Sequence, residues 1–348
     1  MSPLESPAAP RPDDQREVVA FLSRPDSYPG RSATVERVDT HCSSVFLVGD
    51  RAYKLKHALA FASLDYTTLE RRERACWAEL ALNRRTAPDL YLGVMPVNRT
   101  PEGMLALDGR GTAIDWLVVM RRFAETDLFD RMADNGRLSV ALMRWLSEEI
   151  ARFHGGAECM PGFGGADGLR RAIAHNLEEL LLRTGPHDGS AARALHAAAQ
   201  LALDRVAPIL DERRARGMVR RCHGDLRLAN ICLFGGRPTL FDCVEFSDEI
   251  SCIDVLYDLA FLLMDLRQRG LGALADAVLG RYVEITGDRD GLQVLPLFLS
   301  VRAATRSYAV AASALRRTDP QVAVRLAAQA QSLLTLADAF LKETPPVG

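Results

Sequence analysis

The chain has 348 residues, of which 48% are apolar, enough for about two globular domains of roughly 150 residues each. Its 43 basic and 45 acidic residues nearly cancel, giving a formal net charge of −2. The composition thus lacks the excess of positive charge that would favour binding to nucleic acids or to anionic membranes. No apolar run reaches the roughly 18 residues of a membrane span, and the Pro-rich segment 1–15 lacks an apolar signal core. We therefore expect a cytoplasmic protein with a frayed N-terminal tail.

Hydrophobic periodicity predicts a first lobe made of a small antiparallel sheet and one main helix. The predicted elements are a helix over 14–24, strands over 33–39, 44–48 and 51–56, a long amphipathic helix over 67–85, and strands over 90–97 and 113–120. The residues from Met120 to Phe123 have the position of a hinge, because the pattern becomes helical after them.

The rest of the chain is predicted to be mainly helical. Its helices are expected over 138–154, 169–183, 191–213, 255–269, 273–286, 292–317 and 321–341. The fold class is therefore α+β with two lobes. The expected domains are a tail with an N-terminal helix over 1–32, an N-lobe over 33–122 and a helical C-lobe over 123–348.

The cysteines and the lysines each bear on a possible metal or phosphate site. The seven cysteines are scattered without a C-x-x-C pair, so neither a disulfide framework nor a zinc site is expected. Only three of the 43 basic residues are lysines, and Lys54 and Lys56 lie together in one predicted strand. In an arginine-rich chain, this pair indicates a site that needs a compact ammonium group.

Polar side chains cluster around a predicted hairpin within segment 222–246. Two short strands flank Gly235–Gly236, and folding the chain back at that turn brings Asp242 next to Asn230. Asp225 lies on the loop that leads into the same end of the hairpin. Two carboxylates and a carboxamide in one small volume suit magnesium and phosphate chemistry, because hard cations prefer oxygen ligands.

These residues resemble the aminoglycoside phosphotransferase family, which has a protein-kinase-like fold. His223-Gly224-Asp225-Leu226, with Asn230 and then Asp242 after the hairpin, looks like the Brenner-type motif of that family. The resemblance extends from about Val35 to about Arg306. It is closest to a bacterial branch that is often fused to a C-terminal P-loop ATP-binding domain. No G-x-x-x-x-G-K-[ST] motif occurs here, so we expect only the kinase-like part.

The resemblance implies roles for the residues of the motif. Asp225 would be the catalytic base that accepts or orients the proton of the acceptor hydroxyl. Asn230 and Asp242 would bind the Mg²⁺ ions that bridge the phosphates of ATP. His223 belongs to the same catalytic loop, where bracing is favoured over proton transfer. Asp258 would bond the backbone of this loop, against the alternative that it only places charge at a helix N-terminus.

The resemblance also implies a nucleotide site in the N-lobe. Lys54 matches the strand lysine that contacts the α- and β-phosphates, with Lys56 as the second candidate on the same strand face. Its carboxylate partner would be Glu79, with Glu73 as the fallback.

Two segments depart from the wider kinase pattern. The phosphate-covering loop, Thr40 to Ser44, contains no glycine, so His41, Ser43 and backbone N–H groups would have to cover the phosphates. Met120, at the hinge, completes the expected nucleotide-binding residues. After Asp242 the chain reads Cys-Val-Glu where a kinase has Phe-Gly, which makes activation-loop regulation doubtful.

The sequence predicts an ATP- and Mg²⁺-dependent phosphotransferase that acts on a hydroxyl of a small acceptor, such as an aminoglycoside, a sugar or an amino alcohol. Two alternatives stay open, a nucleotide-binding pseudokinase or scaffold and a metal-dependent phosphoesterase. Arg302 and Arg306, one turn apart on a predicted helix, hint at an anionic acceptor, but a solvated pair explains them equally well. The sequence indicates neither the acceptor, the preference for ATP over GTP, nor the oligomeric state.

Overall fold

The computed structural model describes residues 14–28, 34–61, 64–183 and 189–344. Residues 1–13 of the predicted N-terminal tail lie outside these ranges. The chain divides into two compact units, Met1–Asp127 with Leu240–Ser247, and Leu128–Thr239 with Asp248–Gly348. Segment 240–247 thus packs with the first unit. This segment carries Asp242, and the predicted bounds place it in the C-lobe.

The first unit is built on a six-stranded antiparallel sheet in the order β1-β2-β3-β8-β6-β7. The strands of this sheet are β1 Glu36–Asp39, β2 Ser43–Val48, β3 Arg51–Lys56, β6 Tyr91–Arg99, β7 Leu105–Leu107 and β8 Thr112–Arg121. Two strands of two residues each, β4 Ala60–Phe61 and β5 Leu64–Asp65, form a separate ladder. All five predicted strands are present. The sequence analysis missed β7, β4 and β5, which are too short to show a period.

Two helices pack against this sheet, because the side chains of its strands alternate between its two faces. Helix α1, Arg16–Leu22, buries Val18, Phe21 and Leu22 in a core that includes Tyr53 and Leu55 of β3. Helix α2, Leu69–Asn83, is capped at its N-terminus by Thr68, whose side chain accepts a hydrogen bond from the Arg71 N–H. Lys54 and Lys56 alternate with Tyr53 and Leu55 along β3, and both lysines contact Glu79 of α2. The face of β3 that carries the lysines therefore faces α2.

The second unit is mainly helical, as predicted. Its helices are α3 Phe129–Asp134, α4 Val140–Gly156, α5 Gly165–Arg183, α6 Ser190–Ala215, α7 Asp248–Ser251, α8 Val255–Gln268, α9 Gly272–Thr286, α10 Leu295–Leu315 and α11 Pro320–Lys342. Helix α8 is the centre of the packing, since every residue from Val255 to Leu266 is buried. Helix α10 packs against α5, α8 and α11. Within the described ranges, none of the helices combines the length and the hydropathy that a membrane span requires.

Two short ladders frame the loop that carries the motif. Strands β9, Val219–Arg221, and β12, Cys252–Asp254, pair antiparallel just before α8. Strands β10, Ile231–Phe234, and β11, Arg237–Leu240, form the predicted hairpin. The β9–β12 ladder was not predicted, because its strands have three residues each and lie far apart in sequence. The predicted α+β class, a small antiparallel sheet followed by a mainly helical part, is confirmed.

Candidate active site

The loop between β9 and β10 is fixed to the first turn of α8 by the fully buried side chain of Asp258. Its Oδ2 accepts the N–H of His223 at 3.0 Å, and its Oδ1 accepts the N–H of Gly224 at 2.9 Å. His154 of α4 lies at 3.1 Å from Oδ2 through its Nε2 atom. The predicted bond between Asp258 and the loop backbone is present. Because these partners are buried, the loop enters the motif with a defined conformation.

Asp225 follows directly and is held by its neighbours in the loop. Arg227 binds its carboxylate in a bidentate manner, with Nε at 2.6 Å from Oδ1 and Nη2 at 2.8 Å from Oδ2. The side-chain amide of Asn230 donates to Asp225 Oδ2 and to the Asp225 carbonyl, both at 2.8 Å. The N–H of Asp225 lies 3.3 Å from Nδ1 of His223, so His223 braces the loop from within.

These contacts determine the charge of Asp225. Burial alone would raise the pKa of its carboxyl group, but the charge and hydrogen bonds of Arg227 outweigh it, with smaller contributions from His223 and Arg306. The pKa of Asp225 therefore lies well below its usual range. At neutral pH the carboxylate is ionised and can accept a hydrogen bond from a hydroxyl.

In the first unit, Glu79 of α2 joins the two lysines of β3. Lys54 Nζ lies 2.8 Å from Glu79 Oε1, and Lys56 Nζ lies 2.5 Å from Glu79 Oε2. Glu79, and not the fallback Glu73, is thus the carboxylate that both lysines bind. Burial would raise the pKa of Glu79, but the two ammonium groups lower it below its usual range.

The second partners of the two lysines differ in exposure. Lys54 Nζ binds Asp242 Oδ1 at 2.6 Å, and the Asp242 side chain is 44% exposed. Lys56 Nζ binds Glu245 Oε1 at 2.5 Å, and Glu245 is 8% exposed and also accepts a hydrogen bond from Tyr66. Burial would lower the pKa values of both lysines, but the carboxylates raise them well above the usual range. The structure thus has two paired lysines where the sequence analysis treated them as alternatives.

Asp242 has a left-handed backbone, with φ of +63°, which is uncommon for a residue other than glycine. Its N–H donates to Tyr91 Oη at 3.2 Å, and the next N–H, of Cys243, donates to Asn83 Oδ1 at 2.8 Å. Hydrogen bonds from β6 and α2 therefore hold the strained residue, and such strain is frequent at functional sites.

The remaining predicted nucleotide residues lie on the same sheet. Ser43 is buried at the start of β2, opposite Lys56, and His41 is exposed in the turn before it. The Thr40 hydroxyl accepts the N–H of Ser43 at 3.0 Å, and no residue of this turn has a positive φ. A hydroxyl thus stabilises a turn that needs no glycine. Met120 lies on β8 between Ala52 and Tyr91.

The predicted metal ligands retain free oxygen atoms. Asp242 Oδ2 and Asn230 Oδ1 accept no hydrogen bond from any residue that the structure describes. A carboxylate oxygen and a carboxamide oxygen are both ligands that Mg²⁺ prefers. The chemistry of these donors therefore fits the predicted ion.

Sequence reasoning missed several residues of these networks, namely Arg227, Glu245, Tyr66, Tyr91 and Asn83. Two had a signal. Two lysines that alternate with the apolar residues Tyr53 and Leu55 in one strand imply carboxylate partners, since buried ammonium groups are paired. An arginine two residues after Asp225 in the same loop can reach the carboxylate. The other three depend on tertiary contacts.

Comparison with known proteins gives relatives at both the sequence and the structural level. The model of the phosphotransferase enzyme family (APH) matches residues 95–295. Uncharacterised proteins of Mycobacterium tuberculosis and Mycobacterium bovis are 31% identical over 273 residues, which are 77% of this chain and 53% of each relative. The chain spans about half the length of these curated relatives.

Solved structures with the same fold include small-molecule kinases. A choline/ethanolamine kinase family protein from Mesorhizobium loti has a TM-score of 0.54 at 14% identity, covering 94% of this chain and 99% of that one. The GDP complex of aminoglycoside 2′-phosphotransferase-IIIa has a TM-score of 0.54 at 14% identity, covering 93% and 99%. At this identity the likeness shows the fold, which is protein-kinase-like as the sequence predicts.

Proposed function

The chain belongs to the phosphotransferase enzyme family, and on this premise we propose that it is an ATP- and Mg²⁺-dependent kinase that phosphorylates a hydroxyl of a small molecule. The observation that carries the proposal is the ionised Asp225 carboxylate, held by Asn230 and Arg227 in a loop that Asp258 fixes. Such a carboxylate suits the orientation of an attacking hydroxyl.

The proposed reaction is an in-line transfer. The acceptor oxygen forms a bond to the γ-phosphorus while the bond from that phosphorus to the β,γ-bridging oxygen breaks, and the hydroxyl proton passes to Asp225 or to water. Mg²⁺, when bound through Asn230 and Asp242, supplies positive charge to the phosphates. Lys54, held by Glu79, binds the α- and β-phosphates. Most of the rate enhancement then comes from positioning and electrostatics.

The acceptor class draws support from the structural neighbours. Their names include a choline/ethanolamine kinase family protein, an aminoglycoside 2′-phosphotransferase and a glucosamine kinase. We accordingly propose a small-molecule acceptor with a hydroxyl group, and neither a nucleic acid nor a membrane as partner. The expectation of a cytoplasmic enzyme is part of the same proposal.

The test is an ATP-consumption screen with a panel of sugars, aminoglycosides and amino alcohols. Asp225→Asn should lower turnover by roughly 10² to 10⁴. Asp204→Asn is the matched control, because Asp204 is 67% exposed on α6 and the change is the same. Full turnover of Asp225→Asn would refute the assignment of the base. Release of phosphate from simple esters without ATP, unaffected by Lys54→Met, would indicate a phosphoesterase instead.

Measurements of ATP binding distinguish an active kinase from a nucleotide-binding scaffold. Asp242→Ala should abolish the Mg²⁺-dependent part of ATP affinity, measured by titration calorimetry with and without EDTA. ATP binding without any turnover that depends on Asp225 would favour the pseudokinase.

A further inference from the structure

The loop that carries Asp225 is bound by a second buried carboxylate of helix α8. Asp265, two turns after Asp258, is 5% exposed, and its Oδ2 accepts the N–H of Leu228 at 3.0 Å. Asp258 accepts two N–H groups of the loop before Asp225, whereas Asp265 accepts one after it. The same helix therefore holds the backbone on both sides of the proposed base.

A buried aromatic side chain of α8, Phe261, contacts the loop between these two carboxylates. The guanidinium carbon of Arg227 lies 5.5 Å from the centre of the Phe261 ring, and Arg227 holds the Asp225 carboxylate through two hydrogen bonds. Positions 258, 261 and 265 follow each other by three and four residues, so they lie on one face of the helix. This face contacts the start of the loop, the arginine that binds the base, and the end of the loop.

Helix α10 supports the start of the loop through Arg302. Its Nη1 donates to the Gly224 carbonyl at 3.4 Å, and its Nε donates to the Tyr257 carbonyl of α8 at 3.0 Å. Arg302 is 4% exposed, so the alternative of a solvated pair does not hold for this residue. The loop is thus fixed to a helix that is itself buried from Val255 to Leu266.

The Leu228 N–H, which Asp265 binds, lies between the two partners of the Asp225 carboxylate. Arg227 precedes it, and Asn230 ends the short 3₁₀ helix that begins at Leu228. The N–H of Asn230 donates to the Arg227 carbonyl at 2.9 Å, and its side-chain amide donates to Asp225 Oδ2 at 2.8 Å. An anchor at Leu228 therefore restrains both partners together.

An ion pair with Arg269 alone does not account for Asp265. Its Oδ1 lies 3.4 Å from Arg269 Nε, which is long for a charge-assisted hydrogen bond. Arg269 has a shorter partner in Asp134, at 2.7 Å. The shorter hydrogen bond of Asp265 is the one to the loop.

We infer that Asp265 is a positioning residue, which together with Asp258 holds the loop against one face of α8 and so fixes the direction of the Asp225 carboxylate. The inference rests on the proposed kinase function where it treats Asp225 as the base. Asp265 acts through the Leu228 N–H. Its loss should lower the rate of transfer more than the affinity for ATP, because a misplacement of about 1 Å can cost about 10²-fold in rate.

Two substitutions separate the hydrogen bond of Asp265 from its charge. Asp265→Asn removes the charge but keeps an oxygen that can accept the Leu228 N–H, whereas Asp265→Ala removes both. The matched controls are Asp288→Asn and Asp288→Ala. Asp288 is a 9% exposed carboxylate of the same unit that accepts the Gly291 N–H at 3.2 Å and pairs Arg213, outside the loop.

The first measurement is the ¹³C chemical shift of the Asp225 carboxyl carbon at pH 7 in the full chain, assigned with Asp225→Asn. We expect this resonance to shift or split in Asp265→Ala, to lie close to the wild-type position in Asp265→Asn, and to stay unchanged in both Asp288 variants. Urea denaturation gives the stability of each variant. A merely structural Asp265 would lower stability, as Asp288→Ala does, and leave the Asp225 resonance in place.

The second measurement is ADP release from Mg²⁺·ATP with glucosamine, kanamycin or ethanolamine as the acceptor. Asp265→Ala should lower kcat by about 10- to 100-fold with an unchanged KM for ATP. Asp265→Asn should restore most of kcat, and Asp288→Ala should keep it. If Asp265→Ala does not fold, Asp265→Ser replaces it, since its hydroxyl is one bond shorter than the carboxylate.

Two results would overturn the inference, namely an Asp225 resonance that Asp265→Ala leaves at the wild-type position, or equal effects of Asp265→Ala and Asp288→Ala on it. The proposed function fails separately. If the wild type consumes no ATP while the Asp225 resonance responds to Asp265→Ala, the kinase proposal is wrong and the positioning role stands. If Asp265→Ala keeps full turnover and an unchanged resonance in an active enzyme, the kinase stands and the positioning role is wrong.

Discussion

At the scale of single residues, Lys54 and Lys56 share Glu79 but differ in their second partners. Lys54 extends to Asp242, which is 44% exposed, whereas Lys56 extends to Glu245, which is 8% exposed. Water can solvate Asp242 if its lysine is removed, but it cannot reach Glu245 in the same way. Lys56 should therefore contribute mainly to stability, and Lys54 to ligand binding.

The difference predicts that the same substitution at the two lysines acts mainly on stability at Lys56 and mainly on ligand binding at Lys54. Lys56→Met should lower the free energy of unfolding by about 3–5 kcal/mol, because it leaves Glu245 as an uncompensated buried charge. Lys54→Met should lower it less, because Lys56 still pairs Glu79, and should instead weaken Mg²⁺·ATP binding. Urea denaturation measures both. The Lys56→Met/Glu245→Gln double variant should be more stable than the sum of the single effects predicts. Equal losses for both lysines would contradict this division.

Arg227 determines when Asp225 takes up a proton. In the wild type the depressed pKa keeps the carboxylate ionised, and its contribution to stability is lost only as pH falls through that low value. The Arg227→Gln substitution removes the guanidinium group that lowers the pKa of Asp225 most, while the carboxyl group stays buried. The pKa of Asp225 should therefore rise to or above the ordinary value of about 3.9.

The ¹³C chemical shift of the Asp225 carboxyl carbon measures this change. We expect no titration between pH 4 and 7 in the wild type, and a titration within or just below this range in Arg227→Gln. Arg316→Gln serves as the control for general loss of positive charge. An unchanged curve for Arg227→Gln would show that the ion pair does not determine the protonation of Asp225.

At the scale of elements, the hairpin β10–β11 depends on the conformation of its two turn residues. Gly235 and Gly236 have φ of +56° and +78°, and a Cβ added at either position meets no atom within 4 Å. Gly236→Ala should therefore destabilise the protein by about 1–2 kcal/mol through backbone strain alone.

Gly280 provides the matched control. It is exposed inside α9 with equally open surroundings and no positive φ. Gly280→Ala should be neutral or stabilise by up to about 1 kcal/mol. Urea denaturation of both variants tests the argument, and similar effects of the two substitutions would refute it.

The elements also show what could be predicted from the sequence. The longer helices and the β10–β11 hairpin were predictable because each has its own hydrophobic period or turn residues, whereas the short helices α3 and α7 were not predicted. The contact between Asp225 and Asn230 was predictable because the two residues lie within one short segment. Strands β9 and β12 are stabilised by each other across more than thirty residues, and neither has a local signal. In the same way, Tyr66 and Glu245 meet only in the folded unit.

At the scale of the whole molecule, the chain uses arginine for nearly all its positive charge. Two of its three lysines lie in one buried network, while Lys342 is 72% exposed near the end of α11. Arginine suits surface ion pairs because it presents several donors, whereas an ammonium group can lie between two carboxylates in a small space. Amine chemistry can therefore report on the state of the first unit in the intact protein.

Among the three lysines of the native protein, acylation by an N-hydroxysuccinimide ester should modify Lys342 first. Lys54 and Lys56 should react more than about tenfold more slowly, because burial restricts the reagent and their raised pKa values keep the amines protonated. In urea all three lysines should react at similar rates. Peptide mass spectrometry over time measures each site. Modification of Lys56 in the native protein at the rate of Lys342 would show that Glu79 and Glu245 do not hold it as described.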